Sequence, residues 1–422
     1  ESNTAVQHGG GVYADGAAVM VTVDDKATIK SNTATLNGGG IYGANSATIK
    51  VKGTSVVESN TAVDGGGLYM LKATCQVTSS STLKSNTASA NGGGWHADGS
   101  TMTLTDVTVT TNTATTNGGA GYMTKAIAGA GFTSSVDLTG ASSQVISNTA
   151  TTGGGGGVYF HDSTTGTITS ATLKSNTATA GAGGGMYVST SAVVTMAGAV
   201  IDGNIAGTDG GGVYVTGASS KVTSTGATTQ IMNNKAIIGA GTGRGGGFAL
   251  FSGAEVELTA GTTSLNEAKR GGGVYVDAST FKMHTHTIGP TNKATLFDGG
   301  GLYLTGATVS ATSDLASVII SNEAARHGGG VYISPLAGTA SYTLTGTNSK
   351  IESNPAVQHG AGVYADGAAV TVTVDDTAVI KSNPATLNGG GVYGINSATI
   401  KVKGTSVVES NTAVDGGGLY ML

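Results

Sequence analysis

The stretch Ala27-Thr28-Ile29-Lys30-Ser31-Asn32-Thr33-Ala34-Thr35-Leu36-Asn37-Gly38-Gly39-Gly40-Ile41-Tyr42 decides the fold, because its skeleton returns along the whole chain. The phrase Asn-x-Ala recurs with its asparagine at Asn3, Asn32, Asn60, Asn86, Asn112, Asn148, Asn176, Asn204, Asn234, Asn266, Asn292, Asn322, Asn354, Asn383 and Asn411. These fifteen units span 408 residues in fourteen steps, a mean period near 29. Three positions before the asparagine stands Ile, Val or Leu in twelve of the fourteen units that show the position; Thr263 and Gly289 depart. Five to seven residues after most of these asparagines comes a glycine cluster, then an aliphatic residue, then an aromatic slot. Self-similarity at a fixed period of this length is the signature of a solenoid.

Within a unit, apolar and polar residues alternate with period two, as in Ala27 to Lys30, Ile41-Tyr42 and Ala47 to Lys52. That alternation marks short strands with one buried face, three to a unit, with Asn, Gly, Asp and Ser turns between them. No stretch holds a helical period for ten residues. A unit this short cannot bury its apolar face alone, so neighbours must stack. The expected fold is all-β, a parallel β-helix of about fifteen coils. At ~4.8 Å per coil it makes a rod roughly 70 Å long.

Composition removes the competing classes. Glycine takes 72 of 422 positions, far above the usual share of about 7%. Four prolines exclude collagen and Pro-rich linkers. Net charge is −5, from 20 basic and 25 acidic residues, which excludes a polybasic nucleic-acid binder. No apolar run reaches the length of a membrane span, so this segment has no membrane insertion. The single cysteine, Cys75, rules out a disulfide framework. It falls where Ile49 sits one unit earlier, an inward strand position, and reads as a buried thiol.

The recurring residues have physical roles. A stacked Asn at a corner can adopt the left-handed conformation and pass amide hydrogen bonds along the axis. The glycine cluster permits a tight corner that stacked side chains would obstruct. The residues flanking the aromatic slot are apolar or small, so they face the core and the slot points outward. Thirteen of the fourteen tyrosines hold it: Tyr13, Tyr42, Tyr69, Tyr122, Tyr159, Tyr187, Tyr214, Tyr275, Tyr303, Tyr332, Tyr364, Tyr393 and Tyr420; His96 and Ala249 interrupt the column. An outward aromatic column of this kind is a candidate lateral interface.

The pairing of Gly-Gly-x-(Ile/Val/Leu) with an apolar-x-x-Asn step resembles the repeats of chlamydial polymorphic outer-membrane proteins, whose motifs run close to Gly-Gly-Ala-Ile and Phe-x-x-Asn. The likeness covers the whole chain, with Ile, Val or Leu where that family has Phe. It implies a right-handed, pectin-lyase-like β-helix and an exported, surface-displayed rod.

A longer repeat overlies the short one. Residues 1–71 and 352–422 align without a gap at an offset of 351 and differ at eight positions only. The expected organisation is a twelve-coil block, 1–351, followed by the start of a near-identical second block, 352–422, continuous with it. Both ends read as cuts through a longer array, with no polar cap at either, so that coils are expected to continue end to end.

Chemistry is sparse. Asp24-Asp25 and the copy Asp375-Asp376 are the only acidic doublets and read as solvated loop pairs. Arg244, Arg270 and Arg326, the only arginines, each lie just before a glycine cluster and read as corner decoration rather than anion ligands. His284-Thr285-His286 puts two imidazoles on one strand face, a candidate metal pair that lacks a third ligand and reads as exposed. His327 and His359 hold the same corner slot in consecutive coils. No Asn-x-Ser/Thr acceptor occurs, which excludes N-glycosylation of this segment. The reading is an extracellular or cell-surface structural repeat protein, rod, filament or stalk, non-catalytic, with no cofactor, metal or catalytic residue. Its expected partners are itself, end to end and laterally, and glycans. The alternatives are a carbohydrate-active β-helix enzyme and an adhesin for surface glycans. An ice-binding solenoid, suggested by Thr103, Thr105, Thr108 and Thr110, is set aside because unit length varies from 26 to 36 residues.

Overall fold

The computed structural model describes residues 1–125, 132–236 and 242–422. They form a parallel β-solenoid of about 15 turns, about 28 residues each, with no helix among them. Two compact units result: Glu1–Gly207 with Ser219–Lys221, and Thr208–Ala218 with Val222–Leu422. The junction between the two sequence blocks lies inside the second unit, where pairing runs straight through it, Val331 to Val363 and Ile351 to Ile380.

A coil of the first unit carries four strands, one more than alternation predicts: Thr33–Ala34, Ile41–Ala44, Thr48–Val51 and Val56–Glu58. The extra strand is the Thr-Ala of the Asn-x-Ala phrase, two residues long and too short to show a period. Each strand pairs in parallel with its counterpart in the next coil, Thr33 with Thr61, Ile41 with Leu68, Thr48 with Thr74 and Val56 with Thr82. The second unit repeats the arrangement, with Glu267 on Lys293, Val274 on Leu302, Thr280 on Ser310 and Thr287 on Val318. Variation in unit length is absorbed at corners. Thr101 pairs with Ser135, 34 positions on, and the five pairs from there to Thr105–Thr139 follow one to one.

Interior columns of aliphatic side chains fill each unit, such as Val57, Leu83, Val109, Val145, Leu173 and Ile201, all buried. Size is compensated between adjacent coils. Buried Trp95 stacks on Gly121, where a Cβ would come within 2.0 Å of the indole. Within a single coil, Phe160 faces Gly166, whose Cβ would lie 2.5 Å from its ring. Close packing leaves no other room for these rings.

The corners carry the strain. The residue before each ladder asparagine, not the asparagine itself, takes the left-handed conformation: Ser31 at φ 55°, Ser59 at 55°, Ser85 at 55°, Thr111 at 53° and Ser147 at 56°. This corrects the expectation for Asn. That region costs an L-residue about 1–2 kcal/mol, and the side chain that follows supplies the compensating hydrogen bonds. Two glycines of the cluster serve different ends. Gly38 has φ +68°, whereas a Cβ on Gly39 would lie 2.5 Å from the carbonyl oxygens of Thr61 and Gly66 in the next coil.

Candidate functional site

The Asn positions form a hydrogen-bonded ladder in each unit. In the first, each backbone N–H and Nδ2 donate together to Oδ1 of the next asparagine: Asn32 to Asn60 at 2.9 and 2.9 Å, Asn86 to Asn112 at 2.9 and 3.0 Å, and Asn148 to Asn176 at 3.0 and 3.0 Å. In the second, Asn234 bonds Asn266, Asn322 bonds Asn354 and Asn383 bonds Asn411 in the same way. The other Nδ2 hydrogen reaches back one coil, from Asn60 to the Ile29 carbonyl and from Asn86 to that of Val57. That acceptor is the residue three before the previous asparagine, which gives the apolar-x-x-Asn spacing its reason: the aliphatic side chain enters the core while its carbonyl receives the amide.

The aromatic slot stands on the strand face opposite the core. Gly43, next to Tyr42, has its missing Cβ aimed at Ile49 and Met70 inside. The rings stack coil upon coil, with centroids 5.2 Å apart for Tyr13–Tyr42, 5.6 Å for Tyr42–Tyr69, 4.6 Å for Tyr303–Tyr332 and 5.2 Å for Tyr364–Tyr393. An outward column was expected to be accessible, yet Tyr42, Tyr69, Tyr275, Tyr332, Tyr364 and Tyr393 are all buried. Only Tyr13 is exposed, at 55%. Mutual stacking and the segment before the glycines cover the rings: the His8 ring lies 4.7 Å from Tyr42 and that of His327 4.6 Å from Tyr364. Burial pushes the Tyr69, Tyr122 and Tyr303 phenols far up and that of Tyr332 to about 12. The gap at Ala249 is filled by Phe251, two residues on and on the same face, 5.2 Å from Tyr214 and 5.6 Å from Tyr275. The fourteenth tyrosine, Tyr342, is fully buried in the core and donates to Ser313 Oγ at 3.1 Å.

A further polar column, invisible as a motif, occupies the position before the glycines. Asn91 donates to Asp64 Oδ1 through its N–H at 3.0 Å and Nδ2 at 3.1 Å, and Asn117 Nδ2 donates to Asn91 Oδ1 at 3.1 Å. In the second unit Arg244 grips buried Asp209 with two bonds, Nε to Oδ1 at 3.0 Å and Nη2 to Oδ2 at 2.8 Å. Residue identity varies along this column, so no sequence repeat betrays it.

The two histidines of His284-Thr285-His286 do not share a face. Thr285 turns the chain at φ 54°, leaving His284 outside and His286 fully buried. His286 Nδ1 donates to the Ala260 carbonyl at 2.6 Å, so its Nε2 accepts from the Thr263 hydroxyl at 3.0 Å. This pair explains why a threonine can hold a core column: Thr263 aligns with Ile288, which fills the slot that Gly289 leaves. Burial pushes the His286 imidazole down to about 4. His284 instead lies between two carboxylates, Nδ1 2.5 Å from Asp314 Oδ1 and Nε2 3.5 Å from Glu257 Oε1. Its two nitrogens face different oxygens, and among the described residues no group of three or more His, Cys, Asp or Glu side chains is arranged so that it could hold a metal ion.

The remaining candidates are placed as follows. Cys75 is fully buried between Ile49 and Met102, and burial pushes its thiol up to about 12. Asp24 and Asp375 sit at the surface paired to Lys52 at 2.7 Å and Lys403 at 3.2 Å, and the Lys52 ammonium holds the Asp24 carboxyl below the usual range. His327 and His359 stack at 5.3 Å. Comparison with protein-family models, curated proteins and solved structures finds no match to this chain.

Proposed function

We propose that this chain is a structural segment of an extracellular or cell-surface protein, a non-catalytic stack of coils built to extend a rod, stalk or filament. One observation carries the reading: the same positions in every coil serve the neighbouring coil, through the Asn ladder, the stacked rings and the interior columns. The pairing across residues 331–351 and 363–380 adds that one block is followed by another with no change of register. Extension by whole blocks then needs no new interface. The resemblance to polymorphic outer-membrane protein repeats fits an exported, right-handed β-helix of the adhesin kind. Self-association end to end belongs to this reading; for lateral contact the tyrosine column offers the uncovered edges of its rings.

A second reading, a carbohydrate-active enzyme, has the Glu257–His284–Asp314 cluster in its favour, since two carboxylates one coil either side of a histidine could flank a glycosidic bond. Electron microscopy of the purified chain, with reducing-end assays on polyuronates and neutral glucans, separates the two. Elongated particles without sugar release support the structural reading. Depolymerisation that disappears in Glu257→Gln or Asp314→Asn rejects it.

A further inference from the structure

All three arginines of the chain fall in the second unit, within four successive coils and at the same corner. They converge on aromatic rings. The Arg270 guanidinium carbon lies 3.9 Å from the Phe297 ring centre, and that of Arg326 lies 5.8 Å from the same centre. Arg244 covers Phe251 at 4.4 Å. Charge is unevenly satisfied. Arg244 is held by Asp209 and Arg326 meets buried Asp298 at 3.4 Å, whereas Arg270 makes no direct ion pair among the described residues and acts on Asp298, whose carboxyl burial raises, only through its charge. Stacking on a ring occupies the flat face of a guanidinium and leaves its in-plane N–H donors at the edge. Phe297 therefore holds Arg270 in place with its fork unused. Arg326, one coil to the other side of Phe297 and 43% exposed, adds a second cation at a spacing of two coils, about 10 Å.

We propose that the Arg270–Phe297–Arg326 corner binds an acidic polysaccharide, its carboxylate or sulfate groups taken bidentately by Arg270 and paired at the next charged sugar by Arg326. A linear polyanion suits two cations aligned along the coil axis, and Arg forks match planar oxyanions. The net charge of −5 leaves this corner a local exception, which favours sparse contacts to a sugar chain over the dense phosphate contacts of nucleic acid. The proposal stands independently of the structural reading, since a stalk or an enzyme could equally carry such a corner.

The test is calorimetric titration of the full chain with a hexameric polyuronate, a heparin hexasaccharide, a neutral glucan hexamer and a short single-stranded DNA. Either acidic sugar should bind while the neutral one does not, and the stronger of the two identifies carboxylate or sulfate as the source. Arg270→Ala should weaken binding about 10-fold or more, the loss of a charge-assisted pair. Arg270→Lys should recover only part, because an ammonium cannot fork. Circular dichroism and Glu409→Gln, on another sheet, control for folding. Absence of acidic-sugar binding, equal binding of the DNA or the glucan, or affinity unmoved in both Arg270→Ala and Arg326→Ala overturns the assignment.

Discussion

Removing one rung of the ladder tests whether coil-to-coil amide bonding holds the solenoid. Asn176 accepts from the Asn148 N–H and Nδ2 at 3.0 Å each and donates Nδ2 to the Val145 carbonyl at 2.9 Å and to Asn204 Oδ1 at 3.0 Å. In Asn176→Ala, Asn148 Nδ2 keeps the carbonyls of Val109 and Ile146, and Asn204 Oδ1 keeps the Asn176 N–H. One group loses its partner outright, the N–H of buried Asn148, since the Val145 C=O keeps its place in the parallel ladder with the Leu173 strand. At about 1–3 kcal/mol for an orphaned buried group, the substitution costs about 1–3 kcal/mol. Asn45 is the control, because it makes the same kind of bond, Nδ2 to Asp15 Oδ1 at 2.7 Å, at an exposed corner where water replaces it. Asn45→Gly, used because alanine would be strained at the φ of 51° that Asn45 holds, should change stability by no more than about 0.5 kcal/mol. Urea unfolding gives the global cost, and hydrogen exchange by mass spectrometry should show lost protection centred on residues 145–148 and 176. If Asn176→Ala lies within error of Asn45→Gly, or if protection falls evenly along the chain, the ladder is not what ties the coils together.

Burial of His286 makes a pH prediction. Its folded value of about 4 lies below its unfolded value of 6.5, so the stability it contributes is complete above pH 6.5 and is lost as pH falls toward 4, about 3 kcal/mol in all. Urea midpoints measured across that window should drop in the parent and flatten in His286→Ser, the residue that holds the same corner slot at Ser317. Thr263→Val removes the hydroxyl that satisfies His286 Nε2 and should cost about 1–3 kcal/mol at neutral pH, whereas Thr263→Ser should be tolerated better; equal losses would contradict the hydrogen-bond account. Gly10→Ala places a Cβ 2.7 Å from the Thr33 carbonyl oxygen and should destabilise by about 1–3 kcal/mol, with recovery when Thr33→Pro is added; thermal melts of the two variants decide it.

The solenoid was legible because its signal is repeated: a weak motif seen fifteen times fixes the phase of the strands and the Asn column. What stayed hidden is what does not repeat or what depends on neighbours. The Thr33–Ala34 strand is too short for alternation to show. The side of the sheet on which a tyrosine lies follows from period two, but its burial depends on a segment that folds across it, and period says nothing about that. Phe251 substitutes for a missing ring from two residues downstream, so a search of one column finds only Ala249. His284 and His286 look like partners at strand spacing, and the left-handed turn at Thr285 separates them. The arginines looked like isolated decorations because Phe297, which gathers two of them, belongs to the intervening coil.

The two block copies show how such an array can vary without losing register. The second glycine of the cluster is Gly10 in the first copy and Ala361 in the second, the one coil in which that glycine is replaced. At Gly10 an added methyl would meet the Gly39 oxygen at 2.4 Å and that of Thr33 at 2.7 Å. In the second copy the residue matching Thr33 is Pro384, and the one matching Thr4 is Pro355. Proline has no N–H to give to a ladder, and there the short strands shrink to single bridges, Ala324–Ala356 and Ala356–Ala385. The Ala361 methyl packs among Ala356, Ala385 and Ala413 in the space so released. Gly390 faces Thr412, with its oxygen 2.5 Å from the absent Cβ, and remains glycine. The three long sheets keep their pairing through both coils, Val363 with Val392, Val372 with Ile400 and Ile380 with Val408. The short Thr-Ala sheet is therefore the place where a coil can change at low cost, since the ladder and the core columns on either side of it hold the register.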